Sequence, residues 1–187
     1  MKKIISLTAL VVGVMSLAHA QDSNSDNHQI TVVVPNIALL DIEPGTAATR
    51  NFSSTFAQPT PLEAGEKIDN PDDNTDLWIN YSSILPSAVT SRKVNVKASA
   101  IPDGVTIKVT AGAAAAGGAG TKGTSAGEIT LSTSDQEIIS GIGSVYTGTG
   151  ISKGHQLTYA FDADDADYAD LKAKSTAVTV TYTLVDN

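Results

Sequence analysis

The chain has 187 residues, 12 Lys and Arg against 20 Asp and Glu for a net charge of −8, and no cysteine. The acidic balance excludes bulk attraction to nucleic acid or anionic lipid. The missing thiols exclude disulfides, a cysteine-borne lipid anchor and thiolate zinc, and a domain of this size buries an adequate core without such staples.

Met1-Lys2-Lys3, an apolar run from Ile4 to Leu17, and Ala18-His19-Ala20 follow one another in the order of a secretory signal. The run is too short to span a bilayer well, and no second one follows. We read residues 1–20 as a signal peptide, 21–28 as a polar flexible leader, and 29–187 as one domain. Export to the periplasm, cell surface or medium is therefore expected, with no membrane insertion after cleavage. Losing Lys2 and Lys3 with the signal deepens the charge from −8 to −10.

Ile30-Thr-Val-Val-Val34 opens the first strand, Pro35-Asn36 interrupts it, and Ile37 to Ile42 continues it. The proline marks a bulge, an edge or a break. Glu43 to Asp76, with Pro44-Gly45, Pro59, Pro61, Gly65 and Pro71, reads as a long connection holding one short strand at Phe52 to Phe56. Asp76 to Tyr81 and Arg92 to Ala98 are strands, and in the second Val94, Val96 and Ala98 face inward. Ile101-Pro-Asp-Gly104 is a turn, and Val105 to Val109 alternates again, so these two strands are expected to form a hairpin. Ala111 to Gly127, rich in Ala and Gly, is expected to be a flexible loop.

Further short strands are expected at Glu128 to Leu131, Gln136 to Ile139 and His155 to Phe161, and one helical turn at Asp164 to Lys172. Thr176 to Asn187 is a clean closing strand, with Val178, Val180, Tyr182 and Leu184 on one face and Thr179, Thr181 and Thr183 on the other. The whole predicts an all-β, Ig-like antiparallel sandwich of about eight or nine strands. No βαβ alternation points to a parallel-sheet enzyme.

The motifs that carry chemistry lack their contexts. Gly123-Thr-Ser125-Ala-Gly127 matches a nucleophile elbow, and Gly118-Ala-Gly120-Thr-Lys-Gly123 a dinucleotide fingerprint. Neither sits between a strand and a helix. His28 and His155 make no zinc set. Asp69, Asp72, Asp73 and Asp76 are candidate calcium ligands, because hard oxygen donors cluster there, and Asp162, Asp164, Asp165, Asp167 and Asp170 form a second acidic group. A solvated acidic face is the plainer reading of both groups, and no cofactor is required. Trp78, Tyr81 and Tyr146 are the aromatic platforms a glycan would need, although Trp78 is expected to pack between the sheets.

Leu77-Trp78-Ile79-Asn80 and Val180-Thr-Tyr182-Thr-Leu184-Val-Asp186 resemble the paired motifs of the WxL surface-domain family, over Asp76 to Asn187. The resemblance implies a secreted bacterial β-sandwich linked to cell-wall attachment. Asn80 stands where Leu is usual and Tyr182 where Trp is usual, so no binding residue is carried over. The last strand also resembles the closing strand of fimbrial subunits assembled by strand donation, a mode in which Ile30, Val32 and Val34 would be the donor. Pairing of that segment within its own domain is the expectation taken first.

We therefore expect an exported, non-catalytic structural or adhesive surface protein. Its partners would be other surface proteins, itself, or cell-wall or extracellular glycan, met through the loops at Glu43 to Asp76 and Ala111 to Gly127 and through sheet edges. A pilin-like subunit and a carbohydrate- or calcium-binding module are the alternatives.

Overall fold

The computed structural model describes residues 24–46 and 49–187. The expected signal peptide lies outside the described residues. The chain divides into two compact units, Met1–Val33 and Val34–Asn187. Of the first, residues 24–33 are described; they contain no helix or strand, and each is exposed.

The second unit carries nine strands among the described residues: β1 (Ile37–Pro44), β2 (Asn74–Ile84), β3 (Arg92–Ala98), β4 (Thr106–Ala114), β5 (Ala119–Ser125), β6 (Glu128–Thr130), β7 (Gln136–Tyr146), β8 (His155–Asp162) and β9 (Val180–Asp186). One 3-10 turn, Tyr168–Asp170, falls inside the expected helical turn. All strand pairings are antiparallel. One layer runs β1-β2-β8-β4-β6 and the other β5-β7-β3-β9. They are joined at one corner, where Ser82 and Ser83 of β2 pair with Tyr146 and Val145 of β7. The fold is thus an all-β sandwich.

Dyad spacing explains the layers. Leu77, Ile79 and Tyr81 of β2, Ile107, Val109 and Ala111 of β4, and Leu157 and Tyr159 of β8 pack in one cluster with Val94, Val96 and Ala98 of β3 and Ile138, Ile139, Ile142 and Val145 of β7. Burying such side chains stabilises the fold by roughly 25 cal/mol per Å² of apolar surface.

Several expectations are corrected. The β3–β4 hairpin does not form: β3 pairs with β7 and β9, and β4 with β6 and β8. The turn at Gly104 instead carries the chain from one layer to the other. Ala111 to Gly127 is no flexible loop, since β4 runs to Ala114 and β5 occupies Ala119–Ser125. Here glycine is required by close approach: Gly123, at φ +80°, would bring a side-chain carbon within 2.5 Å of the Ser140 carbonyl oxygen of β7. The short strand at Phe52 to Phe56 is absent, and only an isolated bridge, Ala57 to Asp69, marks that connection. Ile30 to Val34 joins no strand, so its pairing within the chain is overturned. Trp78 is half-buried beside the fully buried Ile79, because Leu77, Ile79 and Tyr81 take the inner face of β2 and leave the outer one to Trp78.

Candidate interface at the open β1–β9 side

Arg92 opens β3 and is only 2% exposed. Its Nε donates to Asp186 Oδ1 at 2.7 Å, Nη2 to Asn36 Oδ1 at 2.7 Å, and Nη1 to Ser83 Oγ at 3.1 Å and to the Ile37 carbonyl. One guanidinium thus ties the start of β1, the end of β2 and the end of β9 to a single pole of the sandwich. This fork geometry is the reason for Arg rather than Lys. It also fixes direction: β1 begins where β9 ends, so the two strands run opposite ways across the same side of the sandwich.

That side is incompletely closed. Val180, Tyr182 and Leu184 of β9 and Leu40 and Ile42 of β1 are only partly buried against the core. Each β9 residue sits opposite a fully sealed β3 partner: Val180 opposite Ala98, Tyr182 opposite Val96, Leu184 opposite Val94. Tyr182 reaches across the layers to Tyr159 of β8, with hydroxyl oxygens 2.7 Å apart. Burial pushes the Tyr159 hydroxyl up to about 12 and holds that of Tyr182 well above its ordinary value of 10. Phe52, 39% exposed, lies against Tyr159 and Phe161, with ring centres 5.4 and 6.3 Å away.

The edge of β9 is bare among the described residues, since β9 pairs with β3 alone. In an antiparallel ladder the backbone groups of alternate residues point to opposite sides. The bonds Ser99 N–H to Thr179 O (2.8 Å) and Asn187 N–H to Ser91 O (3.0 Å) fix which residues face β3. Thr179, Thr181, Thr183 and Val185 turn their groups to β3. Val180, Tyr182, Leu184 and Asp186 turn theirs to the open edge.

The described part of the first unit offers the complementary chemistry. Ile30 is 73% exposed, Val32 81% and Val33 82%, and the adjoining Val34, which begins the second unit, 66%. The segment has high strand propensity yet belongs to no strand.

The other candidates are scattered. Asp76 Oδ1 accepts from the Thr46 backbone N–H (2.6 Å) and hydroxyl (2.8 Å), Asp69 pairs its backbone with Ala57, and Asp72 and Asp73 are exposed. Among the described residues, no group of three or more His, Asp or Glu side chains is placed to hold a metal ion. In the second acidic group, Asp162 accepts from Asn70 Nδ2 at 2.9 Å and Asp165 pairs with Lys67 at 2.9 Å, so these carboxylates stitch the long connection to the segment after β8.

Ser125 ends β5, its Oγ accepts from the Gly127 N–H at 3.0 Å, and the chain passes into β6 rather than a helix. His155 is buried, its Nδ1 2.7 Å from the Gly112 carbonyl oxygen and its Nε2 2.8 Å from the Tyr81 hydroxyl. Tyr81 is therefore withdrawn from the surface, whereas Tyr146 is 57% exposed. Among the described residues, one cavity of about 630 Å³ lies beside Asp41–Pro44 and Thr49–Asn51, and another of about 360 Å³ at the corner where β2 meets β7. The first is lined in part by the start of the Glu43 to Asp76 connection, and the second by Gly120 and Tyr146; neither contains Asp69, Asp72, Asp73 or Asp76.

Sequence reasoning weighed Ile30, Val32 and Val34 as a donor but missed Arg92 and the open side of β9. A lone Arg at a strand start carries no signal of burial, and alternation in β9 says that one face is apolar, not that its edge is unpaired. No family model, curated protein or solved structure matches this chain.

Proposed function

We propose that this protein is an exported, non-catalytic structural subunit of a surface or extracellular polymer, whose copies are linked by strand donation. The supporting observation is the segment Gln29 to Val34, a strand-forming sequence whose Ile30, Val32, Val33 and Val34 are left in water outside any strand. Three of these side chains, Ile30, Val32 and Val34, share one face of an extended chain. Burying each fully is worth roughly 1.5–3 kcal/mol, which offsets much of the cost of ordering a short segment. Adding a strand to an exposed sheet edge also supplies main-chain hydrogen bonds, with specificity from alternate side chains. Calcium- or glycan-binding alternatives have no comparable observation behind them.

The test is the mass of the purified full chain over a wide concentration range, beside Val32→Asp. The native chain is expected to form assemblies that grow with concentration. Val32→Asp is expected to stay single while melting at the same temperature, because an exposed site carries little stability. A native chain that remains a strict monomer in every sample overturns the reading.

A further inference from the structure

We infer that the place where the β4–β5 turn meets the β7–β8 loop is an oxyanion site, in which Lys122 and Lys153 hold a phosphate group. Ten Lys and Arg lie among the described residues, the 12 of the whole chain less Lys2 and Lys3. Seven of these ten are in ion pairs with Asp or Glu. Lys172 is in none, yet it still acts on a carboxylate. It adds to Lys174, whose hydrogen bond is the main cause, in holding Asp103 below its ordinary value. Lys122 and Lys153 remain, two cations without a carboxylate partner in a chain of net charge −8, and they meet at one turn.

That meeting is held by named contacts. The Ala115 N–H donates to the Gly154 carbonyl at 2.7 Å, which ties the turn (residues 115–118) to the loop (residues 147–154). Asn80 Nδ2 donates to the Gly150 carbonyl at 2.8 Å and the Tyr81 hydroxyl to the Lys122 carbonyl, so β2 anchors both the loop and the root of Lys122. Lys122 Nζ donates to the Ala115 carbonyl at 2.5 Å. Lys153 lays its stem across Gly148 and ends at Gly117. A side-chain carbon on Gly148 would stand 3.2 Å from its Cδ, and one on Gly117 3.1 Å from its Nζ. Both lysines are half-buried.

Two like charges half withdrawn from water at one turn repel each other, and no side chain offsets them. Each ammonium has three donors. Lys122 uses one on Ala115, and Lys153 makes no hydrogen bond to the protein among the described residues. A phosphate group accepts the unused donors and neutralises both cations, since it carries close to two negative charges at neutral pH. Lysine acts as a point charge and lacks the planar fork with which arginine matches a carboxylate, so a pair of lysines suits a tetrahedral oxyanion. The same chemistry arrives as the free ion or as a phosphate group on a sugar. The site lies on two connections and is independent of how copies are joined.

The full chain is titrated with inorganic phosphate and, separately, with glucose 6-phosphate, at an ionic strength held constant with chloride. Binding is read by calorimetry and by the melting temperature. Saturable binding that raises the melting temperature is expected. Lys122→Gln and Lys153→Gln are each expected to weaken it by about tenfold or more, the loss of one half-buried charged contact, while Lys172→Gln leaves it unchanged. In chloride alone, Lys153→Gln is expected to melt no lower than the native chain, because one of two repelling charges is gone. In phosphate the order reverses. A lysine that merely braces the turn would lower melting in both buffers. Tighter binding of glucose 6-phosphate assigns the site to a phosphate group on a sugar, and binding of inorganic phosphate as tight or tighter assigns it to the free ion. No saturable binding of either probe by the native chain, binding unchanged in either lysine variant, or a Lys153→Gln chain that melts lower in chloride overturns the inference.

Discussion

Val94 on β3 and Leu184 on β9 are direct cross-strand partners, yet Val94 is completely sealed and Leu184 is only partly buried. The same contrast runs along the pair: Val96 beside Tyr182, Ala98 beside Val180. The middle of the sandwich, between β2, β8 and β4 on one side and β3 and β7 on the other, is finished. On the β1–β9 side, Leu40, Ile42, Val180, Tyr182 and Leu184 are only partly buried. A single chain thus holds a complete core and an incomplete one, and the incomplete one coincides with the bare sheet edge. The proposed assembly rests on these two features together, the bare edge of β9 and the segment from Ile30 to Val34 that joins no strand.

Arg92 is where the two regions meet, so it offers the largest effect. Arg92→Ala removes a buried cation and strips partners from Asn36, Ser83 and Asp186. Urea unfolding should show a loss of roughly 3–5 kcal/mol, from the space left by the side chain and from the Ser83 hydroxyl and Ile37 carbonyl left unpaired, since Asp186 itself is half exposed. Leu157→Ala and Leu184→Ala sharpen the comparison. In single chains the first, fully buried, should cost about 2–5 kcal/mol, and the second clearly less, because water already reaches it. In assembled material the two losses should converge.

A smaller effect comes from the tyrosines that brace the open side. The Tyr159 hydroxyl is raised by burial from 10.0 to about 12. The unfolded chain therefore releases this proton first as pH rises. The stability tied to it is fully present below pH 10 and falls between about pH 10 and 12, by roughly 2–3 kcal/mol. Tyr182 and Tyr81 are shifted the same way by burial and add to the decline. Denaturation midpoints from pH 7 to 12 should be flat and then drop, and a midpoint that holds steady through pH 12 would show these hydroxyls to be hydrated.

Much of this fold was legible in the dyads. β3 and β8 stand within one residue of where alternation put them, and β9 begins at Val180, four residues after the expected start at Thr176. These strands expose one face and bury the other, and that is all a period of two encodes. Partners are not encoded, which is why β3 and β4 looked like a hairpin and are in different layers. β5 was hidden because its glycines, needed for close approach to β7, mimic a loop. Ile30 to Val34 was expected to open the first strand and joins none, because propensity describes the segment and not whether a matching edge is at hand. Asp69, Asp72, Asp73 and Asp76 cluster in sequence, whereas the fold gives Asp69 and Asp76 separate backbone and capping partners.

The most direct test is amide hydrogen exchange along β9, residue by residue, in single chains and in assemblies. In the single chain, Tyr182 and Leu184 should exchange fast while Thr181 and Thr183, bonded to β3, exchange slowly. In assemblies all four should be slow. Protection of Tyr182 and Leu184 already in the single chain, or their continued fast exchange after assembly, would contradict the account.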